Sequence, residues 1–468
     1  ATHVYVSHAH EDHFDPAFLR SLPPKTLLVG TFNNAKFNAA LAELGRHHRL
    51  RVLPHGEACE LAPGVAVRIS AEPPDFRTNS VLEFTTPAGR VVNANDCGLA
   101  AMLAAIAARG RPAVFLSTLN FLANGFPFPY LRQNQPDLRA QIDAVRKDVM
   151  DSLRNAMRAL RPELAIAFAG PVTFADTLNA HLNAHPEARD WSRMVAELES
   201  DGPVAWPGPG SQLEIKSGQA PAWLDLRSWR PFLERCAAPA PDPEDPWSST
   251  DADDETAFMA GIDRFLAERG ALVKCLGDRL GRALILSAVP ALDGLESNTF
   301  LWHDRLSLNP PQPRRRRLAG TERLRPPFLQ IISTPRILNA FVRGEADLDA
   351  LLLSGRARFA RNPDTFDVRL HNVLRFGHDS EAAAALVRWS EAERQTPRTE
   401  TMCVRIDGKE RVLLRRCPHE GHDLGNVPVV DGRIKCPLHK WVFDAETGRC
   451  LVGDQSMCLL PDEAPCAA

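Results

Sequence analysis

Residues 415–448 read RRCPHEGHDLGNVPVVDGRIKCPLHKWVFDAETG, and the rest of the chain is interpreted outward from this stretch. It contains Cys417-Pro418-His419, then sixteen residues, then Cys436-Pro437-Leu438-His439. Each arm offers a thiol followed closely by an imidazole. A proline follows each cysteine, and glycines at 421, 425 and 432 suit two tight loops that face one another. A structural zinc site is the competing reading, but zinc ribbons and fingers usually group Cys with Cys and His with His. Here both arms are Cys-then-His.

Two thiolates on one iron and two imidazoles on the other make a Rieske [2Fe–2S] centre. Replacing two anionic thiolates by neutral imidazoles raises the cluster potential to roughly −150 to +300 mV. The stretch resembles the ferredoxin and oxygenase branch of the Rieske domains. The respiratory branch carries an extra Cys in each loop to form a disulfide, and neither loop has one here. The resemblance implies that Cys417, His419, Cys436 and His439 hold the cluster. His422 reads as a neighbour of the ligands, and Cys450, Cys458 and Cys466 read as buried or tail thiols. Such a centre passes single electrons and makes few bonds itself, so the chain should also hold something that uses electrons.

At the other end, the apolar run Thr2-His3-Val4-Tyr5-Val6 predicts a buried strand that leads directly into Ser7-His8-Ala9-His10-Glu11-Asp12-His13. His8 and His10 alternate off an extended segment and can face one ion. Asp12 and His13, in the following turn, can reach a second position. Imidazole with carboxylate suits zinc, iron or manganese. The His-x-His-x-Asp-His pattern after a strand resembles the metal loop of the metallo-β-lactamase superfamily. The resemblance implies an αββα sandwich with its ligands on loops at one edge of two facing sheets. Superfamily members have two or more strands before this motif. Here almost nothing precedes it, which reads as a fragment that lacks its first strands.

Strands are predicted at residues 25–30, 51–53 and 65–69, with a helix over 36–44. The superfamily places a third ligand, usually His, near residues 70–80, and no His occurs there. Asp75 is a weak substitute, and His55 reads as a loop residue. Arg90 to Cys97 is a strand ending in a polar turn, where Asp96 matches the metal-ligating, often bridging carboxylate of the superfamily. The form Asn93-Ala94-Asn95-Asp96 resembles the branch that joins this domain to a Rieske domain, the CMP-N-acetylneuraminate hydroxylase-like proteins. In those hydroxylases the Rieske domain comes first, whereas here it comes last. A strand over 113–119, a long helix over 137–160 and a strand over 164–171 follow. His181 and His185 lie four apart on a predicted helix and read as solvent-facing.

The organisation predicted is a metal domain over residues 1–218, an α+β middle segment over 219–395 and a Rieske domain over 396–468. The fold class is α/β plus a small all-β domain. The middle segment resembles, with low specificity, the lipid-carrier-like region of the same branch. The run Arg314–Arg317 reads as a solvated Pro-rich loop. A net charge of −3 argues against a nucleic-acid partner. No apolar run reaches about 18 residues, so no membrane span is predicted. Ten cysteines in 468 residues are too scattered for a disulfide scaffold, which points to a reducing, cytoplasmic setting.

A one-electron centre attached to a His/Asp metal site argues for redox-active iron, mononuclear or dinuclear, with zinc as the alternative metal. The expected function is a Rieske-coupled iron monooxygenase in which Asp12 and Asp96 are the catalytic carboxylates. It would act on a small-molecule substrate and draw electrons from a ferredoxin or cytochrome with its reductase. The two loops would face each other within one chain or across an oligomer. Two alternatives stand: a metal-dependent hydrolase with an accessory Rieske domain, and an electron carrier or scaffold whose metal site has decayed.

Overall fold

The computed structural model describes residues 2–9, 13–30, 35–71, 79–97, 99, 102–119, 138–169, 191–229, 254–277, 280–290, 299–309, 311, 313–319, 322–363, 367–395, 400–406, 408–418, 424–425, 427–436, 441–452 and 458–460. Two compact units divide it, Ala1–Glu244 with Leu352–Gly355, and Asp245–Leu351 with Arg356–Ala468.

The first unit opens with a β–α repeat. Strands β1 (His3–Val6), β2 (Thr26–Gly30) and β3 (Arg49–Leu53) form a three-stranded parallel sheet. The crossovers are helices α1 (Pro16–Ser21) and α2 (Ala35–Leu44). Asp15 starts α1: its carboxylate accepts from the Ala17 and Phe18 N–H groups at 2.8 and 3.0 Å, and Pro16 takes the first helical position.

A seven-stranded sheet follows, built from β4 (Ala58–Ala62), β5 (Val65–Ala71), β6 (Ser80–Thr86), β7 (Gly89–Asn93), β8 (Val114–Thr118), β9 (Leu164–Phe168) and β10 (Val204–Ala205). Its strand order is β10-β9-β8-β7-β6-β5-β4. The β4–β7 half is an antiparallel meander. From β7 to β10 the pairing is parallel, with α3 (Leu103–Ala108), α4 (Leu138–Leu160) and α5 (Trp191–Leu198) between the strands. Strands β4 and β6 were not predicted: their apolar residues are broken up by charged ones, as at Glu60 and Glu83.

The two-residue period of the strands sorts side chains into layers. On β2, Leu27 and Val29 join Phe14, Leu19, Phe37 and Leu41 beneath α1 and α2. Leu28 points the other way and meets Leu53, Val67 and Ile69, with Tyr5, Leu82 and Phe84 packed alongside, between the two sheets. On the far face of the large sheet, Val81, Val92 and Phe115 pack with Ile106, Leu153 and Met157. The layers therefore run helices, sheet, sheet, helices, an αββα sandwich. Ile69 and Phe115 are each fully buried, and such side chains stabilise by roughly 1.5–3 kcal/mol apiece. Glu83 is also buried in the helix-facing layer, tied to Arg90 at 2.5 Å and to Arg109. A hairpin of β11 (Gln212–Glu214) and β12 (Ala222–Asp225) completes the unit.

In the second unit, α6 (Asp254–Leu276) precedes a five-stranded sheet of β13 (Ala283–Ala288), β14 (Trp302–Ser307), β15 (Arg314–Arg317), β16 (Phe328–Ser333) and β17 (Arg358–Asn362). The order is β15-β14-β13-β16-β17, and only β13 and β16 pair in parallel. Helices α7 (Pro335–Arg343), α8 (Leu348–Leu353), α9 (Val368–Phe376) and α10 (Ser380–Gln395) complete this part. Phe265 of α6 meets Phe341 of α7 with ring centroids 5.5 Å apart.

One sequence expectation is corrected here. The arginine run Arg314–Arg317 is a strand and not a loop, although three of its four residues are exposed as expected. Arg315 and Arg317 each donate to the fully buried Asp304, at 3.0 and 3.1 Å. A buried carboxylate needs paired cations, and that partner was invisible to charge counting.

The C-terminal part comprises a hairpin of β18 (Thr401–Ile406) and β19 (Lys409–Leu414) and a four-stranded antiparallel sheet of β20 (Val429–Val430), β21 (Arg433–Lys435), β22 (Val442–Asp444) and β23 (Cys450–Val452). Asp431 and Gly432, at φ of 49° and 68°, make the β20–β21 turn. Asp-Gly at two left-handed positions is the composition that such a turn requires.

Candidate metal centres

The N-terminal centre gathers where β1 and β7 end. His8 and His13 lie on the segment between β1 and α1, and Asp96 follows β7. One ligand-type atom from each of the three lies within 4.8 Å of the others. Asp96 Oδ2 is 3.6 Å from His8 Nε2 and 3.7 Å from His13 Nε2. A tetrahedral ion with bonds of about 2.0–2.1 Å spaces its donors at roughly 3.3 Å, so the set fits an ion with little adjustment. His8 is fully buried, and the two imidazole centroids are 4.2 Å apart.

Hydrogen bonds hold these groups from behind. Ser7 Oγ lies 3.0 Å from His8 Nδ1 and 3.2 Å from His13 Nδ1. Ser80 Oγ donates to the Ser7 carbonyl at 2.7 Å, which ties the start of β6 to the end of β1. The Tyr5 hydroxyl reaches the Ser80 carbonyl and hydroxyl at 2.9 and 2.8 Å. Burial chiefly pushes the Tyr5 phenol far above its usual range. Asn79 donates from Nδ2 to Asp96 Oδ1 at 2.8 Å and accepts the Ser80 N–H at 2.7 Å. Asn95, at φ 53°, turns the chain so that Asp96 faces the histidines, and the Asn93 carboxamide accepts the Asn95 N–H. Burial opposes ionisation of Asp96, but His8, the Asn79 amide and His13 together outweigh it and hold the carboxyl below its usual range.

Of the predicted ligands, His8, His13 and Asp96 are brought together. His10 and Asp12 lie outside the described residues, as do Asp75, His181 and His185. His55 is exposed in the turn after β3. Asn79 is the site residue that sequence reading missed. It lies at the end of the very segment searched for a third imidazole, and its amide contacts the carboxylate instead. Ser7 immediately precedes the motif but offered only a common residue type. A cavity of about 470 Å³, lined by Arg111, Met157, Arg158, Arg161 and Asp201 among others, sits at the opposite ends of the parallel strands. It touches none of the candidate ligands, and its Arg158 is neutralised by Asp201 at 2.7 Å.

The C-terminal centre is built from two loop bases. Cys417 and Cys436 are buried, at 1% and 0% exposure, among Leu413, Leu414, Leu424, Ile434, Trp441 and Phe443. Neither thiol is in a disulfide. The Leu424 N–H donates to the Arg415 carbonyl at 2.7 Å, closing the first loop, and the Cys436 N–H donates to the Trp441 carbonyl at 2.8 Å, closing the second. His419 and His439 lie within those loops, outside the described residues. Two thiols in a dry core, each at the base of a pinned loop, fit a cluster half held by sulfur.

Comparison with known proteins agrees with this part. Residues 383–460 match the Rieske [2Fe-2S] domain family, so the chain carries a Rieske domain at its C-terminal end. A stretch of 50 residues is 40% identical to cholesterol 7-desaturase of Caenorhabditis elegans. It covers 10% of this chain and 12% of that relative's length. Solved structures similar to the chain include a metal-dependent hydrolase of the β-lactamase superfamily (14% identity, TM-score 0.29, covering 46% of this chain and 79% of that one). Others are the metallo-β-lactamase fold protein YhfI from Bacillus subtilis (12%, 0.27, 47% and 76%) and Zn(2+)-bound PqqB from Methylobacterium extorquens (16%, 0.28, 44% and 69%). The αββα description of the first unit rests on its own strand order and layering. Among the described residues, no helix is long and apolar enough to cross a membrane.

Proposed function

We propose that the chain is a Rieske-coupled, iron-dependent monooxygenase acting on a small molecule. The observation that carries this reading is the presence, in one chain, of a Rieske domain and a cluster that, among the described residues, joins two histidines and one carboxylate. Imidazole with carboxylate is a donor chemistry that suits non-haem iron, as it also suits zinc or manganese. Cys417, His419, Cys436 and His439 would hold the cluster. His8, His13 and Asp96 would hold the iron, joined by His10 and Asp12. When bound, the cluster supplies electrons one at a time and the iron supplies O₂ activation.

The polypeptide contributes position and charge. Asn79 occupies Asp96 Oδ1, so that Oδ2 is the oxygen presented to both imidazoles. Full burial of His8 keeps bulk water from one side of the site. The overall change in such a hydroxylation inserts one oxygen atom of O₂ into a substrate C–H or N–H and sends the other to water. It consumes two electrons and two protons. A ferredoxin or cytochrome with its reductase is the donor that fits the cluster's potential range.

Metal analysis of the purified protein tests the reading, with about three or more irons per chain expected. Two irons plus zinc, with hydrolysis that proceeds in the absence of O₂, would establish the hydrolase alternative. Iron-loaded protein should then show substrate-dependent O₂ uptake with a one-electron donor. No uptake across a sugar-nucleotide and amine panel would refute the oxygenase assignment.

A further inference from the structure

We infer that Ser7 is a positioning residue whose single hydroxyl fixes the tautomer of both His8 and His13, so that both Nε2 lone pairs face the Asp96 side. The inference rests on the metal-binding half of the reading above and is independent of its redox half. One oxygen lies 3.0 Å from His8 Nδ1 and 3.2 Å from His13 Nδ1. A serine hydroxyl has one hydrogen to give and two lone pairs to receive. It cannot donate to two Nδ1 atoms, so at least one ring carries its hydrogen on Nδ1. When it accepts from both, each ring carries its hydrogen on Nδ1 and leaves Nε2 as the nitrogen that faces Asp96, which in the neutral ring is free to bind a cation.

A cation bound beside Asp96 would select that state. Both Nε2 atoms point at one carboxylate oxygen, at 3.6 and 3.7 Å, and an ion there requires both lone pairs at once. Ser7 is 4% exposed, which leaves little water to take over its role. The Ser7 backbone is itself held: its carbonyl accepts from Ser80 Oγ, the Ser80 N–H donates to Asn79 Oδ1, and Asn79 Nδ2 donates to Asp96 Oδ1. A continuous run of bonds therefore passes from the back of both imidazoles to the back of the carboxylate. Partners behind metal ligands of this kind change metal affinity about 10–100-fold when removed.

The test uses the full chain and Zn²⁺ as probe, by chelator competition. Ser7→Ala is expected to weaken Zn²⁺ binding about 10–100-fold, and Ser7→Thr, which keeps the hydroxyl, to restore it to within about threefold. Long-range ¹H–¹⁵N spectra of ¹⁵N-histidine-labelled, Zn²⁺-loaded wild-type protein should show His8 and His13 both as Nδ1–H tautomers. This measurement does not depend on any variant folding. Either ring found metallated through Nδ1, or Ser7→Ala binding Zn²⁺ as tightly as wild type, overturns the role of Ser7. Wild-type protein that binds no Zn²⁺ at this site would instead overturn the metal-site reading on which it rests.

Discussion

Asn79→Asp is the substitution that most directly interrogates the N-terminal centre. It places a carboxylate oxygen where an amide nitrogen now lies 2.8 Å from Asp96 Oδ1. At an effective dielectric of about 20–40, two unit charges at that spacing repel by roughly 3–6 kcal/mol. The Asp96 side chain is 35% exposed, which puts the effect at the lower end, about 3 kcal/mol. Two carboxyls this close cannot both ionise freely, so the pair holds a proton above the ordinary carboxylate range. The folded pKa then lies above the unfolded one, so the group destabilises as pH rises: the cost is absent at acid pH, where the pair is protonated, and is fully present at neutral pH. Amide hydrogen exchange of metal-free protein, read on peptides covering Ser80–Thr86 and Gly89–Asn93, reports this locally in a chain of two units. Relative to wild type, exchange should accelerate on the order of a hundredfold at pH 7.5 and hardly at all at pH 4. Unchanged protection at pH 7.5 would show that the amide does not hold Asp96. An equal loss at both pH values would show a packing effect and no charge repulsion.

Three other outcomes follow from the same structure. Glu83→Gln leaves Arg90 and Arg109 without their buried counter-charge, and should destabilise the first unit by about 3–5 kcal/mol in chemical denaturation; a change under about 1 kcal/mol would contradict the pairing. Tyr5→Phe removes the hydroxyl that contacts Ser80 and should cost about 0.5–1.5 kcal/mol, with Zn²⁺ affinity changed less than by Ser7→Ala. Cys417→Ser or Cys436→Ser should abolish the visible absorption and electron paramagnetic resonance of the cluster and remove two irons per chain. Metal bound at the N-terminal centre should persist in both variants, as elemental analysis would show.

Much of this architecture is legible from residue order, because its signals are local. The β-branched run before Ser7 and the apolar run Leu27-Leu28-Val29 each act through neighbours in sequence, and the structure forms the corresponding strands. The approach of Asp96 to His8 and His13 was accessible only through resemblance to a known metal loop. Nothing in the spacing of residues 8 and 96 specifies it. What could not be read depends on pairings across the fold. Glu83 breaks the apolar pattern of β6, so that strand was missed, and the arginines that make its burial tolerable lie on β7 and after α3. Arg314–Arg317 was misread for the same reason, because its partner Asp304 is on the adjacent strand. Asn79 and Ser80 carry no signature of their own. Their value comes from where β6 begins relative to the end of β1.

The arginine strand β15 has a consequence of another kind. Among the described residues it is the outer member of the five-stranded sheet, paired to β14. An outer strand presents unused backbone donors and acceptors to any passing chain, which is how soluble proteins begin to clump. Arg315 and Arg317 neutralise Asp304, while Arg314 and Arg316 alternate to the opposite face. A second molecule adding its own β15 edge to edge would have to crowd the ion pairs of Arg315 and Arg317 with Asp304, of Arg317 with Glu255 and of Arg316 with Glu322. A run that in sequence reads as a solvated loop therefore serves in the fold as a guarded strand edge.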